Sequence, residues 1–353
     1  MHRLSKLARH VIQSNIAENR YPYRLTYAVT SRCQARCIMC NIWRKPVEDE
    51  LTLAEIDDVF ARASRFSWIN LTGGELFQRE DLAGIFRSID RHCRGLYLLN
   101  FPTNGFQTDL IVATVREILD RMRMPRLMVT VSLDGPQELH DRIRNLPGSW
   151  SRALDTFRQL RELRSRRFSV YLGYTIQADN LHAFDETLAA ARSELGGLSV
   201  DDFHVNLAHV SGHYYANQGF SGVPEPLEAG RMLTRIGAAR RRRLLDPVAF
   251  LERSYQRLAW TYQQDGSVPL VCQAAAASCF IDPQGNVFPC SGFAAPLGSL
   301  RENDYDLYRI WRGAERHRVR RAVRDRACPG CWTPCEAYQT ILANLVSLRR
   351  GTL

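Results

Sequence analysis

The chain has 353 residues, of which 45% are hydrophobic and 24% charged, and its formal net charge is +10. That composition describes an ordinary folded protein with room for one large domain and a smaller one, and no run approaches the roughly 18 apolar residues of a membrane span. Ten cysteines without an export signal point to a reducing, cytoplasmic setting, where clustered thiols bind metal or do chemistry rather than pair as disulfides.

Residues 1–21 open the chain. Leu4, Leu7, Ala8, Val11, Ile12 and Ile16 recur at helical spacing, with Arg3, Lys6, Arg9 and His10 elsewhere, so an amphipathic helix is expected. It either packs on the main domain or makes peripheral contact with a membrane surface.

Residues 22–223 alternate strand and helix. Arg24–Thr30, Trp68–Leu71, Leu96–Phe101, Leu127–Leu133, Ser169–Ile176 and Asp202–Leu207 read as strands. Thr52 and Glu55 form a capping box that opens a helix to about Ser64, and further helical segments lie between the later strands. This alternation predicts a parallel sheet with right-handed crossovers, either doubly wound or a partial barrel. Polar residues follow every strand: Cys33, Cys37 and Cys40 the first, Gly73, Gly74 and Glu75 the second, Thr103, Asn104 and Gly105 the third. Ser132, Asp134 and Gly135 end the fourth, Gln177 and Asn180 follow the fifth, and His209 follows the sixth. In parallel α/β folds that end of the sheet is where active sites assemble.

Residues 224–266 read as a charged helical bridge, residues 267–340 as a small cysteine-rich domain, and residues 341–353 as a tail. Cys93 stands apart as a buried small hydrophobe. Arginine runs at Arg164 to Arg167, Arg240 to Arg243 and Arg316 to Arg326 supply much of the positive charge. They are either solvated helix faces or a surface for an anionic partner. No recognised motif for nucleic acid accompanies them, so no nucleic-acid partner is expected.

The cysteine loop decides the chemistry. Cys33, Cys37 and Cys40 are separated by three residues and then two. Three thiolates on one loop can fix three irons of a cubane and leave the fourth iron open to a reactant. Alone, they would also suit part of a zinc site closed by another Cys or His. With Gly73, Gly74 and Glu75 one strand later, the chain resembles the radical S-adenosylmethionine (SAM) enzymes over roughly residues 22–215.

The resemblance implies an α/β fold, a partial (β/α)6 TIM-like barrel. It implies a 4Fe–4S cluster on Cys33, Cys37 and Cys40 whose open iron takes the amino and carboxylate groups of SAM. Gly73, Gly74 and Glu75 would receive the SAM ammonium. Ser132 and Asp134 match ribose or carboxylate contacts, with Thr103 and Asn104 on the same rim. Arg144 would meet the carboxylate or pair with an acid. Met39 stands where the family often has an aromatic residue near adenine; a polarizable thioether can take that place. Reductive cleavage of SAM would give a 5′-deoxyadenosyl radical that abstracts hydrogen from substrate.

From Cys272 there are twelve residues to Gly285 and four more to Cys290. This run resembles the opening of the SPASM and twitch auxiliary-cluster domains, and Ile281 and Val287 predict a hairpin about Gly285 that brings the two cysteines together. Cys279 does not fit the spacing. Cys328, Cys331 and Cys335 have gaps of two and three, short of the full SPASM pattern. The resemblance therefore implies one auxiliary 4Fe–4S cluster on Cys272, Cys290, Cys328 and Cys331. Cys335 either replaces one of them or is spare. A zinc knob is the alternative for this region.

The function implied is a radical SAM enzyme acting on a small-molecule, lipid-like or peptide substrate by oxidation, epimerisation or bond formation, with flavodoxin or ferredoxin as electron donor. Only about 20 residues precede the first strand, which leaves no room for a leader-binding domain. A peptide maturase would then rely on a separate leader-binding protein. A non-catalytic iron–sulfur electron carrier is the reading from another class. His209, His213, Tyr214 and Tyr215 are candidates for the substrate side.

Overall fold

A computed structural model describes residues 2–241 and 246–346. Arg242 and Arg243 of the second arginine run, and residues 347–353 of the predicted tail, lie outside the described residues.

The chain begins with α1 (His2–Ser14), β1 (Arg24–Ala28), α2 (Leu53–Arg62), β2 (Trp68–Thr72), α3 (Leu82–His92), β3 (Leu98–Thr103) and α4 (Thr108–Arg121). It continues through β4 (Arg126–Ser132), α5 (Gln137–Arg144), α6 (Ser149–Glu162), β5 (Phe168–Ile176), α7 (Phe184–Leu195) and β6 (Phe203–Leu207). Two long helices follow, α8 (Pro226–Ala239) and α9 (Pro247–Asp265), and then β7 (Ser278–Ile281), β8 (Asn286–Phe288) and β9 (Gly298–Ser299). Helices α10 (Leu307–Arg312), α11 (Ala314–Arg324) and α12 (Pro334–Leu342) complete the described chain.

The strand order is β6-β5-β4-β3-β2-β1-β7-β8-β9, with β1 to β6 parallel. Among β1 to β6 each neighbour is the next strand in sequence, and β6 does not pair with β1, so the six strands form the partial barrel expected. Their sequences show why they enclose a site. On each strand, alternate residues face the helices and the lumen. Leu99, Phe101, Val129, Val131, Val170 and Leu172 point outward and are buried under the helices. Asn70, Asn100, Thr130, Gly173, His204 and Asn206 line the interior cavity instead. Trp68 Nε1 donates to Asn100 Oδ1 at 2.6 Å and Asn100 Nδ2 to Asn70 Oδ1 at 2.5 Å, so this polar layer is already hydrogen-bonded strand to strand.

The capping box forms as expected: Thr52 Oγ1 accepts from Glu55 N at 3.3 Å and the Glu55 carboxylate accepts from Thr52 N at 2.8 Å. Ile56, Val59 and Phe60 then face the core.

The cysteine-rich region continues the barrel sheet. β7 pairs in parallel with β1, Leu25 opposite Cys279, and the hairpin β7–β8 turns at Gly285 with Ile281 opposite Val287. The positive φ of Gly285, 87°, is a conformation glycine adopts at little cost. The predicted bridge is two helices, and α9 covers the open side of the barrel with Val248, Leu251 and Glu252 on the cavity wall. Trp332 Nε1 donates to Tyr255 O at 2.9 Å, tying α9 to the C-terminal region. No helix among the described residues is long and apolar enough to cross a membrane.

Candidate active site

A cavity of about 360 Å³ opens at the carboxyl ends of the strands and runs down the lumen. Cys33, Cys37 and Cys40 lie on its wall, as do Met39, Gly73, Gly74, Glu75, Thr103, Asn104, Ser132 and Arg144. All eleven residues line one cavity, and Arg144 is paired with an acid, the second of its two alternatives.

Backbone contacts lock three strand ends together. Gly74 N donates to Thr30 O and Glu75 N to Arg32 O, both at 2.8 Å. A Cβ on Gly73 would meet Thr30 O at 2.4 Å, and one on Gly74 would meet Arg32 O at 2.3 Å. The close approach these glycines permit is therefore to the cysteine loop itself. Glu75 is buried at 2% exposure. Its carboxylate accepts from Thr103 Oγ1 at 2.9 Å and from Asn104 N at 2.7 Å. Burial pushes its pKa up to about 7, against the pull of those hydrogen bonds. A cationic ammonium arriving beside it would favour the ionised form.

Asp134 is the residue that departs from its expected place. It is fully buried and absent from the cavity wall. Its Oδ2 lies 2.5 Å from Arg144 Nη2, and its Oδ1 accepts from Thr175 N at 2.8 Å. Asp134 thus positions Arg144, whose Nη1 lies 3.8 Å from Cys37 Sγ. Carbonyls near the end of α5 fix the loop as well: Arg144 O accepts from Arg36 N at 3.2 Å and Ile143 O from Ile38 N at 2.9 Å. Gln177 and Asn180 are fully buried; Asn180 Nδ2 donates to Asp134 O at 2.9 Å, which makes it a brace behind the rim.

Burial pushes the thiols of Cys33 and Cys40 up to about 12 and raises that of Cys37, which Arg144 draws down. Such thiols stay protonated until a metal displaces the proton. Three thiols on one cavity wall, a guanidinium at one sulfur and a buried carboxylate lining the same cavity are donors that would suit a 4Fe–4S cluster with SAM on its open iron.

The second cysteine set gathers behind the cavity. Cys331 lies within electrostatic reach of Cys272 and Cys328, and Cys290 within reach of Cys331 and Cys272. Cys272 and Cys290 share an apolar cluster with Ala274, Val323 and Phe293. Burial pushes Cys272 up to about 12 and raises Cys290 and Cys331 further. Buried Cys290 and half-buried Cys272, Cys328 and Cys331 are the thiols that would hold one auxiliary cluster. Cys335, also within electrostatic reach of Cys331, lines the main cavity as well, and Cys279 sits in β7 against β1.

His209, Tyr214 and Tyr215 line the cavity. His213 does not: its Nε2 lies 3.0 Å from Cys290 O and its ring packs on Phe288. Burial holds His209 and His213 down at about 4, so both are neutral at pH 7. Sequence reasoning missed Arg24, which lines the lumen floor, bonds Cys335 O and Gln339, and lies over Trp68. It also missed Glu252 and Tyr338, which bond each other on the opposite wall. Alternation on β1 could have flagged Arg24; nothing local marks the other two.

Comparison with known proteins agrees with this geometry. A sequence model described as the Radical SAM superfamily matches residues 27–191, and one described as SPASM, an iron–sulfur cluster-binding domain, matches residues 272–335. An AdoMet-dependent heme synthase of Methanosarcina barkeri is 25% identical over 331 residues, covering 88% of this chain and 87% of that one. SuiB of Streptococcus suis bound to S-adenosylmethionine superposes with a TM-score of 0.61 at 12% identity over 90% of this chain and 71% of that one. Native anSMEcpe with bound AdoMet gives 0.59 at 13% identity, over 93% and 98%. These last two likenesses are of fold. Two family matches in the expected order, on the residues that form the cavity and the second cysteine set, identify the chain as an enzyme of the radical SAM superfamily with a C-terminal SPASM iron–sulfur domain.

Proposed function

We propose that this enzyme removes a hydrogen atom from a small molecule held in the barrel lumen, and that, as the substrate radical loses a proton, the auxiliary cluster accepts the electron that completes a two-electron oxidation. When bound, the first cluster and SAM supply the radical that takes the hydrogen atom. Cys33, Cys37 and Cys40 would hold that cluster, with Glu75 at the SAM ammonium, Ser132, Thr103 and Asn104 on the rim and Met39 near adenine. Cys272, Cys290, Cys328 and Cys331 would hold the auxiliary one.

The observation that carries the reading is the shape and lining of one continuous cavity. It descends from the cysteine loop past Asn70, Asn100, Thr130 and His204, and Ser291, Pro334 and Cys335 of the SPASM region form part of its wall. A substrate in the lumen would therefore lie between the two metal sites. The lining is largely apolar, and Asn70, Asn100, Thr130 and His204 on one wall offer hydrogen bonds to a substrate's reacting end. The match along both domains to an enzyme named heme synthase supports a small-molecule substrate. SuiB bound to its precursor peptide SuiA keeps a second reading open, a peptide substrate presented by a separate protein. Flavodoxin or ferredoxin would supply the reducing electron.

The test is deoxyadenosine formation by anaerobically reconstituted, reduced protein given either a low-mass metabolite fraction or a peptide fraction. Stimulation by the metabolite fraction alone is the expected result; stimulation by peptides alone overturns the small-molecule reading.

A further inference from the structure

Helix α1 is turned the wrong way round for a helix that ends its story at the protein surface. In water an amphipathic helix packs its apolar stripe inward and leaves its charges outside. Here Arg3, Lys6 and His10 turn inward beside the half-buried Leu7 and Val11. Arg3 Nη1 donates to Arg123 O at 2.6 Å, Lys6 is half-buried against Gly95, and His10 stacks on Tyr23 with ring centroids 5.6 Å apart. No residue of α1 is fully buried. Leu4, Ala8, Ile12 and Ile16 face solvent, with Leu4 at 52%, Ile12 at 62% and Ile16 at 82% exposure. Leu4, Ala8 and Ile12 at a spacing of four span about 12 Å at the helical rise, and Ile16 follows in the turn after the helix.

The stripe is extended by neighbours. Asn15 Nδ2 donates to Leu342 O at 2.7 Å, Val346 N to Asn15 Oδ1 at 3.4 Å, and Asn344 Nδ2 to Val271 O at 3.2 Å. These bonds bring the Val346 backbone to Asn15 and the Val271 backbone to Asn344, and both valines are exposed, at 50% and 56%. Single exposed aliphatic residues are ordinary, but a contiguous group of them marks a contact surface.

The charge around the stripe has one sign. Residues 2–17 contain no Asp or Glu. Arg9 and Arg20 are exposed beside the stripe. The nearest acid in sequence, Glu18, is held between Arg316 at 3.2 Å and Arg320 at 2.6 Å. Through those pairs Glu18 also anchors α11, whose Arg321 and Arg324 are exposed. An apolar stripe edged by uncompensated cations is the complement of an anionic lipid surface, where the aliphatic side chains enter the acyl boundary and the guanidinium groups meet phosphate.

We propose that α1 docks this enzyme on anionic phospholipid bilayers, with Leu4, Ile12 and Ile16 as the inserted residues and Val271 and Val346 at the rim. The cavity is formed by other elements, so docking and SAM chemistry are separable. The test uses the full chain with vesicles of phosphatidylcholine alone and of phosphatidylcholine mixed with phosphatidylglycerol, read by sedimentation. Binding to the anionic vesicles that weakens with salt, and at least about tenfold loss of binding in an Ile12→Glu, Ile16→Glu variant, are expected. An Ile12→Ser, Ile16→Ser variant guards against an effect of the added charge, and the unfolding midpoint of both variants should match the parent. Absence of binding to anionic vesicles, or undiminished binding by both variants, overturns the proposal. So does a concentration-dependent dimer that both variants abolish, since the stripe would then belong to a second copy of the chain.

Discussion

Gly74→Ala isolates the link between the second strand and the cysteine loop. The added Cβ would lie 2.3 Å from Arg32 O and 2.8 Å from both Arg32 C and Ser31 O. All three atoms are backbone, so no side-chain rotation relieves the overlap. Restoring even a 3.0 Å approach moves the loop by about 0.7 Å, and overpacking of this kind costs about 1–3 kcal/mol. The displaced segment runs directly into Cys33. A cluster with three protein ligands tolerates such a shift poorly, while the auxiliary site lies on other elements. Reconstituted Gly74→Ala should therefore fall from about eight irons per chain toward about four, as two 4Fe–4S clusters become one. SAM binding should fall with it, with the fold retained by circular dichroism. Full iron content with parental SAM affinity would refute the reasoning, because the glycine would then be no more than a turn residue.

Asp134→Asn removes the charge paired with Arg144 in a buried setting. Breaking such a pair costs about 3–5 kcal/mol, read by urea unfolding; a loss below about 1 kcal/mol would show that Asp134 is not the counter-ion the geometry makes it. Cys331→Ala should lose the auxiliary cluster and about four irons, whereas Cys335→Ala should keep about eight; the reverse pattern would exchange their roles. Burial raises the Glu75 carboxyl to about 7, and in its proposed role at the SAM ammonium it would have to lose its proton. SAM affinity is therefore full above pH 7 and falls as pH drops, by up to about tenfold per unit. Isothermal titration between pH 6 and 8 reads this slope, and Glu75→Gln should flatten it.

Much of the site was legible because ligand chemistry depends on spacing within short segments. The cysteine loop and the Gly-Gly-Glu turn announce themselves locally, and the strand-end positions follow from counting alternations of strand and helix. The hairpin about Gly285 was legible for the same reason, since Ile281 and Val287 flank a turn signal. What the sequence hid are relations between distant segments. Asp134 and Arg144 are ten residues apart and either could have met SAM; only packing shows that they meet each other. Cys335 follows Cys331 by the same kind of short gap as separates Cys328 from Cys331, yet at the start of α12 it also lines the lumen. The C-terminal region reads as a separate domain because its composition changes abruptly, but β7 joins β1 edge to edge and composition carries no trace of that pairing. The outward stripe of α1 is likewise invisible to periodicity, which finds an apolar face without saying which way it points.

The central claim is that Cys33, Cys37 and Cys40 hold a catalytic cluster that opens SAM. The most direct measurement is reductant-dependent formation of 5′-deoxyadenosine by anaerobically reconstituted protein, set against a variant with all three cysteines changed to alanine. The account predicts product from the parent, none from the variant, and about four irons remaining in the variant at the auxiliary site. Equal product from both proteins, or a variant that keeps its full iron, would contradict it.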